Sequence, residues 1–196
     1  MMKGINNHSF YTADMIKSNT IGAELGVWRG ESSSLFLEKS KELHLVDSWS
    51  IEPYKKSDGD EFLNYEKYLA RYSEITGGKE EKDFISYYDK IYESVVEKFK
   101  DNDNVFIYRM TTDEFFEKFL LENKKLDWIY VDASHEYNQV KKDLYNCLKI
   151  VKDGGEIFGD DFHESKPQVK QAVIDFIKET DLPFRNYYAN QYKIKL

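Results

Sequence analysis

The sequence predicts an α/β fold: a doubly wound, mostly parallel seven-stranded sheet with helices on both faces and a closing antiparallel strand. Three observations predict it. Apolar runs of strand length recur along the chain. Stretches of helical period separate the first five, which is the pattern of a parallel sheet with crossover helices. The last two runs sit close together, as a hairpin would.

The elements follow in order. Thr20–Val27 (TIGAELGV) reads as a first strand entering a glycine-bearing loop, and Glu31–Lys41 as the next helix. Leu43–Trp49 (LHLVDSW) is a second strand ending near Asp47. A charged, aromatic stretch follows, with helices expected at Glu61–Tyr72 and Lys82–Phe99 and a break at Gly77-Gly78. Asn104–Met110 is a third strand, Thr112–Asn123 a helix and Leu126–Asp132 (LDWIYVD) a fourth strand. Asn138–Lys152 carries Val140, Leu144, Cys147, Leu148 and Val151 at helical spacing, and Asp153-Gly154-Gly155 is expected to stop it. Glu156–Phe162 (EIFGDDF) is a fifth strand, and Pro167–Thr180 a helix with proline in its first turn. Phe184–Ala189 and Gln191–Leu196 close the sheet.

Composition narrows the function. The chain has 196 residues, which suits one domain, with a helical insertion at about 50–100. Its net charge of −8 argues against a nucleic-acid partner, because phosphate neutralisation dominates such binding. One cysteine, Cys147, allows no intrachain disulfide, and no apolar run resembles a signal peptide or a membrane span. A cytoplasmic protein without membrane contact is expected.

Two constellations carry the chemistry. Glu24-Leu25-Gly26-Val27-Trp28-Arg29-Gly30 lies where the first strand meets a helix, and small residues there let backbone approach a ligand. Asp47, with Ser48 after it, ends the second strand ~20 residues on, where dinucleotide folds place the acid that takes ribose hydroxyls. Glu24 and Asp47 suit a ligand with an amino group and a ribose. A pyrophosphate cofactor fits less well, since G-x-G-x-x-G is absent and Glu24 repels phosphate. A plain strand-to-helix turn would read the same way. The second constellation is Asp132, with His135 beyond it, and Asp160-Asp161 at the ends of adjacent strands. Parallel neighbours lie about 4.8 Å apart, so these acids can converge on one hard cation such as Mg²⁺. Helix capping and turn formation are the competing explanation for Asp160-Asp161, and a surface role for His135. A histidine there can act as a general base at neutral pH.

The set ELGVWRG, LHLVDSW and LDWIYVDASHEYNQVKKDLYNCLKIVKDGGEIFGDDF resembles the class I S-adenosylmethionine-dependent methyltransferases, a Rossmann-like fold, and within them the methyltransferase family 24 type. It covers roughly residues 20 to 165, and the Asp132–Asp161 block is its most specific part. The resemblance implies that Glu24, Gly26, Trp28 and Gly30 belong to the loop around the methionine part of S-adenosyl-L-methionine. It implies that Asp47 and Ser48 lie at the ribose, and that Met110 and Thr111 lie near adenine. Metal-dependent O-methyltransferases, including sugar and antibiotic-tailoring enzymes, hold Mg²⁺ with acids matching Asp132, Asp160 and Asp161. Two departures stand out: Arg109-Met110-Thr111 where many relatives have Gly-Asp-Ser, and Ala133 where Gly is usual.

These readings converge on methyl transfer to a hydroxyl of a small molecule or saccharide, with Asp132 and His135 as catalytic residues. The insertion's tyrosines, Tyr54, Tyr65, Tyr68, Tyr72, Tyr87, Tyr88 and Tyr92, are expected mostly to pack, with a substrate lid as the alternative. The competing functions are a nucleic-acid methyltransferase, a non-catalytic cofactor-binding protein, and another reaction on the same scaffold such as aminopropyl transfer. Under each of them the chain can work alone or as a homo-oligomer. The prolines, Pro53, Pro167 and Pro183, lie away from Asp132, so the Asn/Asp-Pro-Pro motif of amino-directed DNA enzymes is absent.

Overall fold

A computed structural model of the protein describes residues 9–55 and 65–196. Seven strands form one sheet in the order β3-β2-β1-β4-β5-β7-β6. They are β1 (Thr20–Leu25), β2 (Ser40–Asp47), β3 (Val105–Arg109), β4 (Leu126–Val131), β5 (Val151–Gly159), β6 (Phe184–Asn186) and β7 (Tyr192–Lys195). β1 to β5 pair in parallel, while β7 runs antiparallel to both β5 and β6. The order reverses between β1 and β4, and their carboxyl ends form the crevice where open α/β sheets bind ligands.

Alternating strand residues feed two cores. Leu43, Leu45, Trp128, Tyr130 and Phe158 face one side, against α1 (Ser9–Met15), α2 (Glu31–Leu37) and α5 (Glu81–Phe99). Val46, Ile129, Val131 and Ile157 face the other, against α6 (Thr112–Leu121), α7 (Tyr137–Ile150) and α8 (Pro167–Thr180). Burial on both faces explains why the strands read as nearly continuous apolar runs. No helix among the described residues is long and apolar enough to cross a membrane.

Several boundaries differ from the sequence expectation, each for a local reason. α2 stops at Leu37 rather than Lys41, because Ser40 already pairs with Thr20 as the start of β2. Asp153-Gly154-Gly155 does not end α7. The helix ends at Ile150, and β5 runs through the glycines with a register shift opposite Leu126 and Trp128. The Gly154 N–H donates to the Leu196 carbonyl, and the Leu196 N–H to the Gly155 carbonyl, so the C-terminus completes the pairing there. β5 ends at Gly159, which leaves Asp160-Asp161-Phe162 in the loop beyond it.

The insertion holds the short α3 (Glu52–Lys55), α4 (Tyr65–Thr76) and α5. The first residues of the expected helix Glu61–Tyr72 lie outside the described residues. α5 opens on a reciprocal capping box between Glu80 and Asp83.

Candidate active site

The loop after β1 is folded around one carboxylate. Asp47 Oδ2 accepts the N–H groups of Val27 and Trp28 at 3.0 and 2.9 Å, and Oδ1 accepts that of Trp49 at 2.7 Å. Burial raises the Asp47 pKa, and these three backbone donors oppose that shift. The Trp49 indole N–H then holds the Trp28 carbonyl at 2.8 Å. Gly26 has φ 88°, and a Cβ there would overlap the Asp132 carbonyl oxygen, so only glycine lets the β1 and β4 ends meet so closely. Trp28 stands at the rim, 49% exposed, and Gly30 (φ 67°) lies against Phe99.

Glu24 is buried beneath this loop and accepts a hydrogen bond from the Ser33 hydroxyl. Burial pushes its pKa up to about 8, the Ser33 bond opposes this, and the Asp47 charge adds to it. Ser48 follows the anchor and makes no side-chain hydrogen bond among the described residues. The Met110 N–H donates to the Asp47 carbonyl at 3.0 Å, so Met110 sits at the same rim. Thr111 caps α6 in a capping box with Glu114, which engages its hydroxyl. Arg109 reaches back to the Trp49 carbonyl at 2.9 Å and pairs with Asp89 at 2.5 Å.

The second constellation also assembles. Val131 and Gly159 are register partners, which sets Asp132 and Asp160 side by side beyond them. Asp160 turns inward: its Oδ2 accepts the Tyr130 hydroxyl at 3.3 Å and its Oδ1 the Asp161 N–H at 2.7 Å. Asp161 adopts φ 62° and points the other way, 2.8 Å from His135 Nε2 and 3.2 Å from His163 Nε2, with Lys166 Nζ at 3.7 Å. Ligand atoms of Asp132, His135 and Asp161 lie within 4.8 Å of one another. The candidate cation set in this structure therefore contains His135, while Asp160 braces Asp161.

The charges split the acids. Burial, then the charges of Asp160, Asp161 and Glu24, raises Asp132 well above the carboxylate range. Burial alone would raise Asp161 too, but the hydrogen bond and charge of His135, with Lys166 and His163, bring it down to about 2. Lys166 Nζ lies 3.0 Å from His135 Nδ1. An ammonium only donates, so Nδ1 accepts and the ring's own proton sits on Nε2, toward Asp161.

The model of a methyltransferase-domain family, number 24 in its series, matches residues 23–162, most of the chain and both constellations. The chain belongs to methyltransferase family 24. It is a class I S-adenosylmethionine-dependent methyltransferase. The O-methyltransferase of Bacillus cereus, solved in complex with SAH, superposes with a TM-score of 0.63 at 11% identity, covering 99% of this chain and 83% of that one. Aeropyrum pernix fibrillarin with bound S-adenosyl-L-methionine gives 0.59 at 12%, covering 96% and 76%. An rRNA methylase of Streptococcus thermophilus gives 0.55 at 9%, covering 100% and 97%. At such identities the likeness is one of fold. No curated protein gives a significant sequence match.

The methyltransferase has a wall that no sequence motif announced. α1 lies beside the acids through buried polar groups. Thr12 donates to Gln191 Oε1 at 2.7 Å, Gln191 Nε2 donates to the Tyr130 hydroxyl at 3.0 Å, and Tyr130 leads to Asp160. Thr12 also shares a 2.6 Å bond with the Tyr187 hydroxyl. On the outer side of this network three aromatics stay exposed: Phe10, Tyr11 and Tyr188, with Tyr11 and Tyr188 ring centroids 4.4 Å apart. Lys166 and His163 were also missed. Their only signal was proximity to the acidic pair, in FHESK.

The insertion's tyrosines mostly pack, as expected. Tyr54 stacks on Tyr68 at 4.2 Å, and Tyr68 and Tyr88 share a short hydrogen bond beside Ile51 and Phe84. Burial raises Tyr54, and the Asp47 charge contributes, which places this cluster next to the loop anchor.

Proposed function

We propose that this methyltransferase methylates a hydroxyl group on a ring-bearing small molecule or saccharide, assisted by a divalent cation. The observation that carries the reading is the convergence of Asp132, His135 and Asp161 within 4.8 Å at the crevice of the sheet. Asp132 fits such a role. Its carboxylate faces two further acids and receives no side-chain hydrogen bond among the described residues. Clustered carboxylates of that kind call for a proton or a cation between them. A divalent cation there would lower the pKa of the acceptor hydroxyl and hold it in place. The exposed Phe10, Tyr11 and Tyr188 beside the Asp160 network offer ring faces for a flat or saccharide acceptor.

S-adenosylmethionine supplies a methyl already activated on a sulfonium sulfur, so the protein's work is alignment and proton removal. The loop from Gly26 to Gly30 presents backbone to the methionine part. Three of about four acceptor sites on the Asp47 carboxylate hold the loop, and a ribose hydroxyl would take the remaining one. With the cofactor bound, transfer would join the acceptor oxygen to the methyl carbon and leave the carbon–sulfur electron pair on sulfur. The hydroxyl proton must leave. Either role of His135 requires Lys166 to leave Nδ1: the ring would then take the hydroxyl proton at Nδ1, or would carry its own proton there and offer Nε2 to the cation. Asp160 is a positioning residue that fixes the backbone of Asp161.

The reading takes the chain as one domain with the segment near 50–100 as its insertion, working in the cytoplasm. The acidic surface, −8 overall, opposes a nucleic-acid acceptor. The test is methyl transfer to a panel of catechols and sugars, with EDTA, Mg²⁺ or Mn²⁺. Transfer should fall at least tenfold in EDTA and in Asp161→Asn, and return on adding metal to the wild type only. Transfer indifferent to both would end the cation reading. His135→Gln separates its two roles: a lost base lowers activity with metal affinity intact, whereas a lost ligand lowers both.

A further inference from the structure

Outside the crevice, the cofactor loop and α5 border a second, open concave surface of about 470 Å³, lined by Arg29, Glu31, Tyr87, Lys90, Ile91, Ser94 and Lys98. Its volume lies within the range of small-molecule sites. Tyr87, Lys90, Ile91, Ser94 and Lys98 fall at helical spacing, so α5 presents one face to it. Three cations and one carboxylate line the groove, in a chain whose net charge is −8.

Among the described residues, two of these cations carry no ion pair, unlike several others on the surface. Lys82 pairs with Glu80 at 2.5 Å, Lys100 with Glu97 at 2.6 Å and Arg109 with Asp89 at 2.5 Å. Among the described residues, neither Arg29 nor Lys90 has a carboxylate partner. Arg29 is nevertheless held in position. Its guanidinium carbon stacks 4.6 Å from the Trp28 ring centroid, and its Nη2 lies 3.4 Å from the Tyr87 hydroxyl. Lys98 is fixed too, donating to the Arg29 and Gly30 carbonyls at 2.6 and 3.2 Å. An ordered guanidinium, a free ammonium and a phenol hydroxyl around one concavity are donors suited to a compact oxyanion.

We infer that this groove binds the phosphate group of a small phosphorylated metabolite, held by Arg29 and Lys90 with the Tyr87 hydroxyl beside them, while Ile91 backs the organic part. A polyphosphate surface is disfavoured, because Glu93 and Glu97 stand exposed along the same helix. Since Arg29 and Gly30 belong to the loop that faces the crevice, the metabolite and S-adenosylmethionine share a structural element. The inference does not depend on which acceptor is methylated.

Trp28 provides the readout, because Trp49 and Trp128 are buried at 0% and 2% exposure while Trp28 is open. Glucose 6-phosphate and glucose are titrated into the full chain at constant ionic strength, followed by tryptophan fluorescence and calorimetry. Glucose 6-phosphate should give a saturable response that glucose does not. Lys90→Glu should weaken it at least tenfold, and Lys90→Arg should keep it within about threefold. Unchanged S-adenosylmethionine binding by Lys90→Glu confirms that the variant is folded. No saturable response to glucose 6-phosphate, an equal response to glucose, or full affinity in Lys90→Glu would each overturn the inference.

Discussion

Replacing Asp143 with asparagine is expected to stabilise the protein above neutral pH and to change little near pH 4. Asp143 lies on α7 with no exposed surface. Its Oδ1 accepts the Thr112 hydroxyl and the Gln139 amide, both at 2.9 Å, while Oδ2 has no partner. Burial lifts its pKa from 3.8 to about 7, against the opposing effect of those two bonds. The sign follows from linkage. The unfolded chain gives up this proton near pH 4 and the folded chain near pH 7, so between them the folded state binds more protons. Stability therefore declines as pH rises through that window and then levels off. A difference of about three pKa units corresponds to a penalty on the order of 4 kcal/mol at pH 8. Asparagine keeps an oxygen for Thr112 and Gln139 and carries no charge. Urea unfolding of both proteins at pH 4.5, 6 and 8 should show the advantage of Asp143→Asn growing across the series. An advantage that is constant with pH, or a loss at pH 8, would refute the reasoning.

Other expectations follow from the crevice. Gly26→Ala puts a methyl into the Asp132 carbonyl at a positive φ, so S-adenosylmethionine binding should fall below detection in calorimetry while circular dichroism still reports a folded α/β chain. Tyr130→Phe removes the hydroxyl that Asp160 accepts, and metal affinity should drop roughly 10- to 100-fold, as for other lost supporting bonds around a metal site. An unaltered metal titration would show that Asp160 does not position Asp161. Phe36, fully buried between α2 and the sheet, should cost about 3–5 kcal/mol on truncation to alanine, read from the urea midpoint.

Much of this was legible in the sequence because burial on both faces leaves a strong trace. Leu43, Leu45, Trp128 and Tyr130 alternate with Val46, Ile129 and Val131, and each run ends in an acid or glycine at the crevice. What escaped depends on tertiary contact. α1 has seven residues, too few for a clear period, and rests on Ala13, Ile16 and the Thr12 hydrogen bonds. The glycines at Gly154-Gly155 looked like a helix stop but sit inside β5, where the C-terminus pairs with them. Lys166 is 31 positions from His135, and only the loop after β5 brings them together. Asp160 and Asp161 are adjacent and chemically alike. Their opposite directions come from the positive φ of Asp161, which no spacing rule encodes.

The central claim is that the loop anchored on Asp47 binds S-adenosylmethionine. Calorimetric titration of the wild type and of Asp47→Ala, each with and without Mg²⁺, tests it most directly. A wild-type heat with one site per chain, weakened at least tenfold in Asp47→Ala, is the expected result. No heat from the folded wild type under either condition would contradict the claim.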